Sequence, residues 1–527
     1  MGFSLFRKLS LKSGQIDCWL LTGATGLVGR FVLAELLRAG KLVAALVRDR
    51  AAAGARVRVE ECLAPFETEV ALLRPKTIAF DLTVPGLGVS DADRRWLSGK
   101  RLGVIHSAAS IRFNANSAED EPYLSNVVGT RNLLDFLHDF DVDCFHYVST
   151  AYVSSRVVAG TESQLPRMEV EVPRGASGGN DYEASKIASE RLISDCEWLK
   201  SKTFLRPSII VGDSKSGYTS TFHGFYAPLQ IGNQVVKLPG GSQLGGAWFR
   251  RQLGLKGSDT KNFVTVDWVA RAIARVALDR SLHGGIYHLT NPRPVACIDV
   301  QTAIERSLEK QMQSQASISD EEAGVAANAI PANFREQMAV YESYFNNDPA
   351  FDSSRTQAAL ADLPCPRVDV ELLTRLAKFA LQANFGWPKP TVVMPEYAKA
   401  FAKLETFEQC EHFEHCKQPV AGASESSATT AGESSEMIQL HVLGAGSPAP
   451  LCFRKIAGHW KVSPSVAAAD GNVLLITGSA ADVANCINGP QTLAEMVANG
   501  RVFSVGNTAM GCLNDLDEFD RDLKHPC

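Results

Sequence analysis

Two short stretches of the chain hold residue types suited to acid–base and carbonyl chemistry. Tyr182 and Lys186 stand four apart in Asp181-Tyr182-Glu183-Ala184-Ser185-Lys186, which opens a helical pattern running through Ile193. On a helix they share one face. A phenol with a pKa of about 10 is a poor acid–base catalyst near neutrality. A neighbouring ammonium stabilises the phenolate and lowers that value, and the same lysine can hold a nicotinamide ribose. Phe145-His146-Tyr147-Val148-Ser149-Thr150 reads as a strand ending in two hydroxyls. Either hydroxyl can hydrogen-bond a substrate carbonyl and polarise it for hydride attack, since one register slip exchanges them. Tyr-x-x-x-Lys alone occurs by chance in many helices, so its weight depends on the elements before it.

Those elements begin at Cys18–Leu21, a short apolar run that reads as a buried strand. It breaks into Thr22-Gly23-Ala24-Thr25-Gly26-Leu27-Val28-Gly29, then into Arg30–Leu37 with helical apolar spacing. Strand, glycine turn and helix in this order let the backbone approach a pyrophosphate at the helix N-terminus, where free N–H groups and the dipole favour anions. The spacing is GxxGxxG rather than the GxGxxG of the usual dinucleotide fingerprint, and a glycine turn without a ligand is the alternative for the motif taken alone. Lys41–Val47 reads as a second strand, ending in Arg48-Asp49-Arg50. An acid here receives the ribose 2′-OH of NAD, and an arginine accommodates the 2′-phosphate of NADP. Two arginines around one aspartate favour NADPH with Arg48 as the phosphate contact, and Asp49 keeps NADH open. Ile78–Leu82 and Gly103–Ala109 read as further strand ends on the same sheet edge. Asp81, with Leu82, falls on the adenine side, and the small Ala108 and Ala109 let the backbone lie near a cofactor. Packing explains both equally.

On these residues the chain resembles the extended short-chain dehydrogenase/reductases, and more narrowly the branch of fatty acyl-CoA reductases and thioester reductase domains. Thr22–Gly29, Val148–Val153, Tyr182 with Lys186, Leu205–Asp213 and Phe263–Val269 carry the resemblance, which covers residues 16 to 385. It implies an α/β fold: a Rossmann-like doubly wound parallel sheet with a helical substrate-capping region. It implies the hydroxyl role for Thr150, with Ser149 as rival, the acid–base role for Tyr182 and the supporting role for Lys186. Gly23, Thr25, Gly26, Leu27, Val28, Gly29, Arg48, Asp81, Leu82, Ala108 and Ala109 then fall on the dinucleotide, with Pro207, Ser208 and Ile209 beside the nicotinamide. Asn126 matches an asparagine common in the superfamily, for which a helix-capping or helix-bending role stands beside a catalytic one. The activity implied is NADPH-dependent reduction of a fatty acyl thioester, on CoA or an acyl carrier protein, to the aldehyde and by a second turnover to the alcohol. A lipid-alcohol dehydrogenase and a non-catalytic cofactor-binding lipid carrier are the rivals, because epimerases, dehydratases and hydroxysteroid dehydrogenases share this core.

At 527 residues the chain is long enough for two or more domains. A net charge of −5 gives no electrostatic case for nucleic acid. Twelve cysteines without a framework point to a reducing, cytoplasmic setting. No run approaches the roughly 18 to 20 apolar residues of a membrane helix, so no integral membrane segment is expected. Apolar residues alternating with Arg7, Lys8 and Lys12 suit peripheral membrane contact, against a frayed terminus as the plainer reading. Dimerisation is common among short-chain reductases, and a homodimer is expected on that ground alone. The boundaries read as an N-terminal extension (1–15), a reductase core (16–300), helical capping region (301–405), linker (406–436) and small C-terminal α/β domain (437–527). The capping region includes Gln311–Ala327 as a loop or lid, and His223 ahead of it is a substrate contact or a structural histidine. In the linker, Val420–Glu436 has almost no large apolar residue to offset its ordering entropy. Cys410-Glu411-His412-Phe413-Glu414-His415-Cys416 offers zinc-ligand types at no standard finger spacing, and no metal is assigned. Asn472–Ser479 reads as a strand, Ala480–Ile487 and Thr492–Gly500 as helices, and Arg501–Gly506 as a closing strand. This order is similar to the last part of sterol carrier protein 2-like domains, which implies an apolar lipid tunnel.

Overall fold

A computed structural model of the chain describes residues 15–49, 54–66, 74–117, 119–154, 166–237, 255–313 and 347–387, and the backbone of five strands between 437 and 505. Two compact units are distinguished, one of Met1–Glu35, Ala44–Asp49 and Ile78–Thr391, the other of Leu36–Val43, Arg50–Thr77 and Val392–Cys527. Every residue of the site described below lies in the first.

The short apolar runs become strands: β1 (Cys18–Thr22) and β2 (Val43–Val47), buried throughout, β4 (Arg101–His106), β5 (Asp141–Val148) and β6 (Lys202–Pro207), buried toward their C-terminal ends, and the mostly half-buried edge strand β3 (Lys76–Ala79). Such runs lack polar alternation because helices cover both sides of a parallel sheet. With β10 (Ile286–Leu289) they form one seven-stranded sheet in the order β3-β2-β1-β4-β5-β6-β10. The pairs β1–β4, β4–β5, β5–β6 and β6–β10 are parallel. The order reverses direction between β1 and β4, and in doubly wound sheets ligands bind outside the strand C-termini at that switch point. Thr22, His106 and Tyr147 pair across it in register.

The glycine turn leads into α1 (Leu27–Arg38), three residues earlier than the sequence pattern marks. The expected helix from Asp181 is α5 (Asp181–Ser194). Asn180 caps it by accepting from Glu183 N at 2.9 Å, and Glu183 reaches back to Gly179 N at 2.7 Å, a variant of the capping box. Arg206 on β6 grips α5 through Glu190, with Nε–Oε1 at 3.0 Å and Nη2–Oε2 at 2.7 Å, both residues buried.

Beyond the sheet, α6 (Tyr226–Val235), α8 (Cys297–Gln313) and α10 (Val370–Gln382) enclose a second apolar cluster that includes Phe225, Leu229, Ile304, Leu308, Leu372 and Leu376. The intervening α7 is Val266–Leu278. Helix α8 begins at Cys297, ahead of residue 301, and its apolar residues share this cluster with those of α6. Helix α8 runs through Gln313, so the first residues of the expected loop Gln311–Ala327 are helical and the rest lie outside the described residues. Residues 388–405, the N-terminal extension through residue 14, the linker and Cys410–Cys416 also lie outside them. Among the described residues no helix is long and apolar enough to cross a membrane.

In the C-terminal region, β12 (Met437–Leu443), β13 (Leu451–Ile456), β14 (His459–Ser463), β15 (Val473–Ser479) and β16 (Val502–Val505) form one sheet ordered β14-β13-β12-β15-β16. The central pair β12–β15 is parallel, and its flanking pairs are antiparallel. The strands expected at Asn472–Ser479 and Arg501–Gly506 are β15 and β16, and the two expected helices fall outside the described residues.

Candidate active site

Gly23 follows β1 with φ +72°, and a Cβ there would fall 2.6 Å from Ala108 N. A Cβ at Gly29 would fall 2.0 Å from Gly23 O, so the turn and the first turn of α1 pack too closely for any side chain. The cradle is therefore made of backbone, as a pyrophosphate site requires. The Thr25 carbonyl in this turn accepts from Arg30 Nη2 at 3.0 Å.

A row of hydrogen bonds ties this turn to α5. Thr22 Oγ1 accepts from Ala108 N at 3.1 Å and donates to His106 Nδ1 at 2.7 Å. His106 Nε2 then donates to Thr130 Oγ1 at 3.1 Å, which donates to Asn126 O at 2.5 Å. The partners assign this tautomer, and burial pushes His106 down to about 3, with the Lys186 charge adding to it. Asn126 sits in a single π turn, Leu124–Val128, ahead of α4 (Gly129–Leu137). Its Oδ1 accepts from Ser110 N at 2.8 Å, and its Nδ2 donates to Ser185 Oγ at 2.9 Å. Asn126 thus clamps the loop after β4 to α5 instead of capping its own helix.

Lys186 is buried, donates from Nζ to Val148 O at 2.9 Å and lies 4.7 Å from the Tyr147 ring centre. Burial pushes it down to about 7, opposed by the Glu190 carboxylate. Tyr182 is half-buried and meets Phe113 edge-on at 6.0 Å. Burial pushes its phenol above the ordinary value, and the Glu183 carboxylate adds to the rise. The sequence-based expectation that Lys186 lowers this pKa is reversed here, because desolvation outweighs it and Nζ is turned to Val148 O. Thr150 Oγ1 donates to Pro207 O and accepts from Tyr152 N, both at 3.4 Å. Ser149 Oγ is buried and, among the described residues, has no hydrogen-bond partner.

One cavity of about 440 Å³ gathers Gly23, Gly26, Leu27, Val28, Gly29, Ala109, Thr150, Tyr182, Lys186, Pro207, Ser208 and Ile209 in its wall, together with Ser149 and His223. Burial lowers the pKa of His223. Thr25, Arg48, Asp81, Leu82 and Ala108 are not in that wall. Ala108 acts through its backbone against Gly23. Arg48 Nη2 and Asp81 Oδ1 pair with each other at 3.2 Å on the surface. Burial acts to raise the Asp81 pKa, but hydrogen bonds from Thr83 N and Oγ1 and the Arg48 charge bring it below its ordinary value. Leu82 packs its Cβ 3.0 Å from where a Gly129 Cβ would stand. Its separation from the wall follows from that inward packing.

The rest of the wall is mostly apolar and includes Ile111, Phe113, Ile210, Phe225, Phe263, Val300 and Ile304, with Lys261 among them. Asp348 supports this side. It accepts from Lys261 Nζ at 3.1 Å, Tyr152 O–H at 2.8 Å and Asn262 N at 2.8 Å. The turn signal Asn346-Asn347-Asp348-Pro349 is visible in the sequence, but its partners lie far away along the chain.

The fold and this constellation are similar to those of extended short-chain dehydrogenase/reductases. Residues 21–273, just under half of the chain, match the model of the NAD-binding family described as Male sterility protein, and part of this region is similar to fatty acyl-CoA reductases. Among curated relatives, fatty acyl-CoA reductase 1 of Mus musculus is 37% identical over 144 residues, 25% of this chain and 28% of that protein. The polyketide synthase-nonribosomal peptide synthetase pyiS of Pyricularia grisea is 32% identical over 176 residues, 33% of this chain and 4% of that protein. The matches therefore span well under half of either relative. Among solved structures, the terminal R domain from the myxalamid PKS-NRPS biosynthetic pathway shares the fold with TM-score 0.54 and 24% identity, over 72% of this chain and 94% of that one.

Proposed function

We propose that the protein is an NADPH-dependent reductase of fatty acyl thioesters, carried on CoA or on a carrier protein. The observation that carries this reading is the single cavity in which a backbone cradle, the Thr150–Tyr182–Lys186 set and an apolar wall meet. The cradle at Gly23 and Gly29, which a Cβ would fill, fits a dinucleotide pyrophosphate, and Lys186 fits the nicotinamide ribose. When bound, the reduced nicotinamide supplies the hydride that converts a thioester carbonyl into a tetrahedral oxyanion. Thr150 and Tyr182 donate to that oxygen, and donors placed where charge develops stabilise the transition state. Collapse of the oxyanion expels the thiolate and leaves the aldehyde. Burial keeps Tyr182 a phenol, which suits a proton donor to the alkoxide of a second reduction, while the Lys186 ammonium stabilises the phenolate left behind. The apolar wall from Ile111 to Ile304 takes the acyl chain. Ser149 is the second reading for the hydroxyl, favoured by its unpartnered Oγ.

The similarity to a polyketide synthase-nonribosomal peptide synthetase supports carrier-bound acyl groups as substrates beside acyl-CoA. The five-stranded C-terminal sheet supports a small separate domain from about 437 onward, read as a lipid-binding module. Tethered through the 406–436 linker, it raises the local concentration of a poorly soluble substrate. The deciding experiment is anaerobic NADPH oxidation with a panel of acyl-CoAs and acyl-carrier proteins, following free thiol and extracted product. One NADPH per thiol indicates aldehyde and two indicate alcohol. NADPH binding without thiol release from either class of thioester overturns the reading.

A further inference from the structure

Cys144, His146 and His283 stand apart from the reductase cavity, and none of the chemistry above uses them. Cys144 and His146 are alternate residues of β5, so both side chains leave the sheet on one face. His283 follows the short turn Arg280–Leu282 ahead of the edge strand β10. Gly284 N donates to Thr203 Oγ1 at 2.9 Å, and Thr203 is the β6 residue that pairs with His146 in register. The sheet thus brings His283 to the face where Cys144 and His146 project. One thiol sulfur and two imidazole nitrogens gather there, all within 4.8 Å of one another.

Two observations point beyond packing. His146 is fully buried, and among the described residues both of its ring nitrogens lack a hydrogen-bond partner. Native structures seldom leave a buried imidazole so, because its lone pair and N–H each lose their water without replacement. His283 donates from Nε2 to Ala277 O at 2.9 Å, which leaves Nδ1 as its ligand atom. A carbonyl holding the far N–H of an imidazole is the usual outer-shell support of a metal-bound histidine. The two rings meet edge-on with centres 4.6 Å apart, as two imidazoles on one ion can.

We propose that Cys144, His146 and His283 form a buried transition-metal site, suited by its one thiolate and two imidazoles to Zn²⁺. Four-coordinate zinc takes these ligand types, with a fourth position open to water. Binding converts the Cys144 thiol to a metal thiolate and releases its proton to solvent, while both histidines coordinate as neutral imidazoles. The ion fastens the turn ahead of edge strand β10 to the interior strand β5, which ends at Val148 and leads directly into Ser149 and Thr150.

The test uses the full chain carrying Cys410→Ser and Cys416→Ser, so that those two thiols supply no ligand. After chelation, Co²⁺ is added and followed by absorption, then displaced with Zn²⁺, and thermal unfolding is measured with and without Zn²⁺. One equivalent of Co²⁺ is expected to give a thiolate-to-cobalt charge-transfer band and tetrahedral visible bands, and Zn²⁺ to raise Tm. Cys144→Ser removes the charge-transfer band. His283→Gln, at a partly exposed position, weakens Co²⁺ binding roughly tenfold or more with an unchanged far-UV spectrum. If Cys144→Ser fails to fold, the parent spectrum and His283→Gln still decide. No charge-transfer band at one equivalent, or a band that His283→Gln leaves at full strength and affinity, overturns the site.

Discussion

Replacing Lys186 with Met removes an ammonium that the fold buries against Val148 O and the Tyr147 ring. Burial takes this lysine from 10.5 to about 7. That drop of about 3.5 pH units corresponds to about 5 kcal/mol, at about 1.4 kcal/mol per unit. The sign follows from proton counting. Below about pH 7 the native and unfolded chains both carry the charge, and the native state bears the full cost of burying it. Between about 7 and 10.5 the unfolded chain binds a proton that the native one does not, so native stability rises with pH. The difference in unfolding free energy between wild type and Lys186→Met should therefore move by about 2 kcal/mol in favour of wild type between pH 7 and 9. Urea unfolding of both proteins at matched pH measures it, and taking the difference cancels every other titrating group. Activity runs the opposite way. The ammonium that stabilises the Tyr182 phenolate is lost above about pH 7, so kcat/KM for thioester reduction should fall about tenfold per pH unit beyond that point. A flat rate profile from pH 6 to 9, together with a pH-independent stability difference, would refute both the burial argument and the role given to Lys186.

Tyr182→Phe should lower kcat by about 10²–10⁴ while leaving the Kd for NADPH unchanged, measured by nucleotide fluorescence; full turnover in this variant would sink the acid–base assignment. Thr150→Val and Ser149→Ala separate the rival hydroxyls: the one that holds the oxyanion should cost about 10²–10³ in kcat and the other little, and equal small losses would exclude both. Arg48→Ala should raise KM for NADPH about tenfold and leave KM for NADH alone, because only a 2′-phosphate needs the guanidinium. An equal change for both nucleotides would show that Arg48 serves Asp81 and not the cofactor. Glu190→Gln leaves the buried Arg206 without its carboxylate and should destabilise the protein by about 3–5 kcal/mol in urea unfolding; a loss under about 1 kcal/mol contradicts the burial seen here.

What was legible in the sequence is what local rules determine. The strand–glycine turn–helix unit, the Tyr182–Lys186 spacing and the strand ending in Ser149-Thr150 each lie within a few residues, and periodicity and turn chemistry reveal them. Much of the cavity's apolar wall was not legible. Ile111, Val300 and Ile304 look like any core residue until the sheet and the capping helices bring them together. Asp348 sits in a plain turn signal, and its bonds to Lys261 and Tyr152 cross distances in sequence that no local pattern reports. The direction of the Tyr182 shift was read wrongly from spacing, because spacing gives the neighbouring charge and says nothing of desolvation. Arg48 was read as waiting for a phosphate, whereas Asp81 already engages it. A 2′-phosphate must compete with that carboxylate, so cofactor preference depends on a balance between two anions around one guanidinium.

The row at the strand ends explains why this chemistry is placed so firmly. Thr22, His106 and Tyr147 are register partners on β1, β4 and β5. Thr22 holds the backbone at Ala108 against Gly23 and bonds His106, whose ring lies 5.5 Å from that of Tyr147. The Tyr147 ring in turn lies under Lys186, which is tied to Val148 O. A cofactor cradle and an acid–base pair mounted on separate loops would move independently. Here the glycine turn follows β1, and Lys186 on α5 is tied to the end of β5, so both are held to one sheet, the kind of rigid scaffold on which the proposed reduction depends. His106 serves this row as a neutral spacer, since burial pushes it down to about 3. Its hydrogen-bond directions stay constant, and the distance from the glycine turn to Lys186 is set by the sheet.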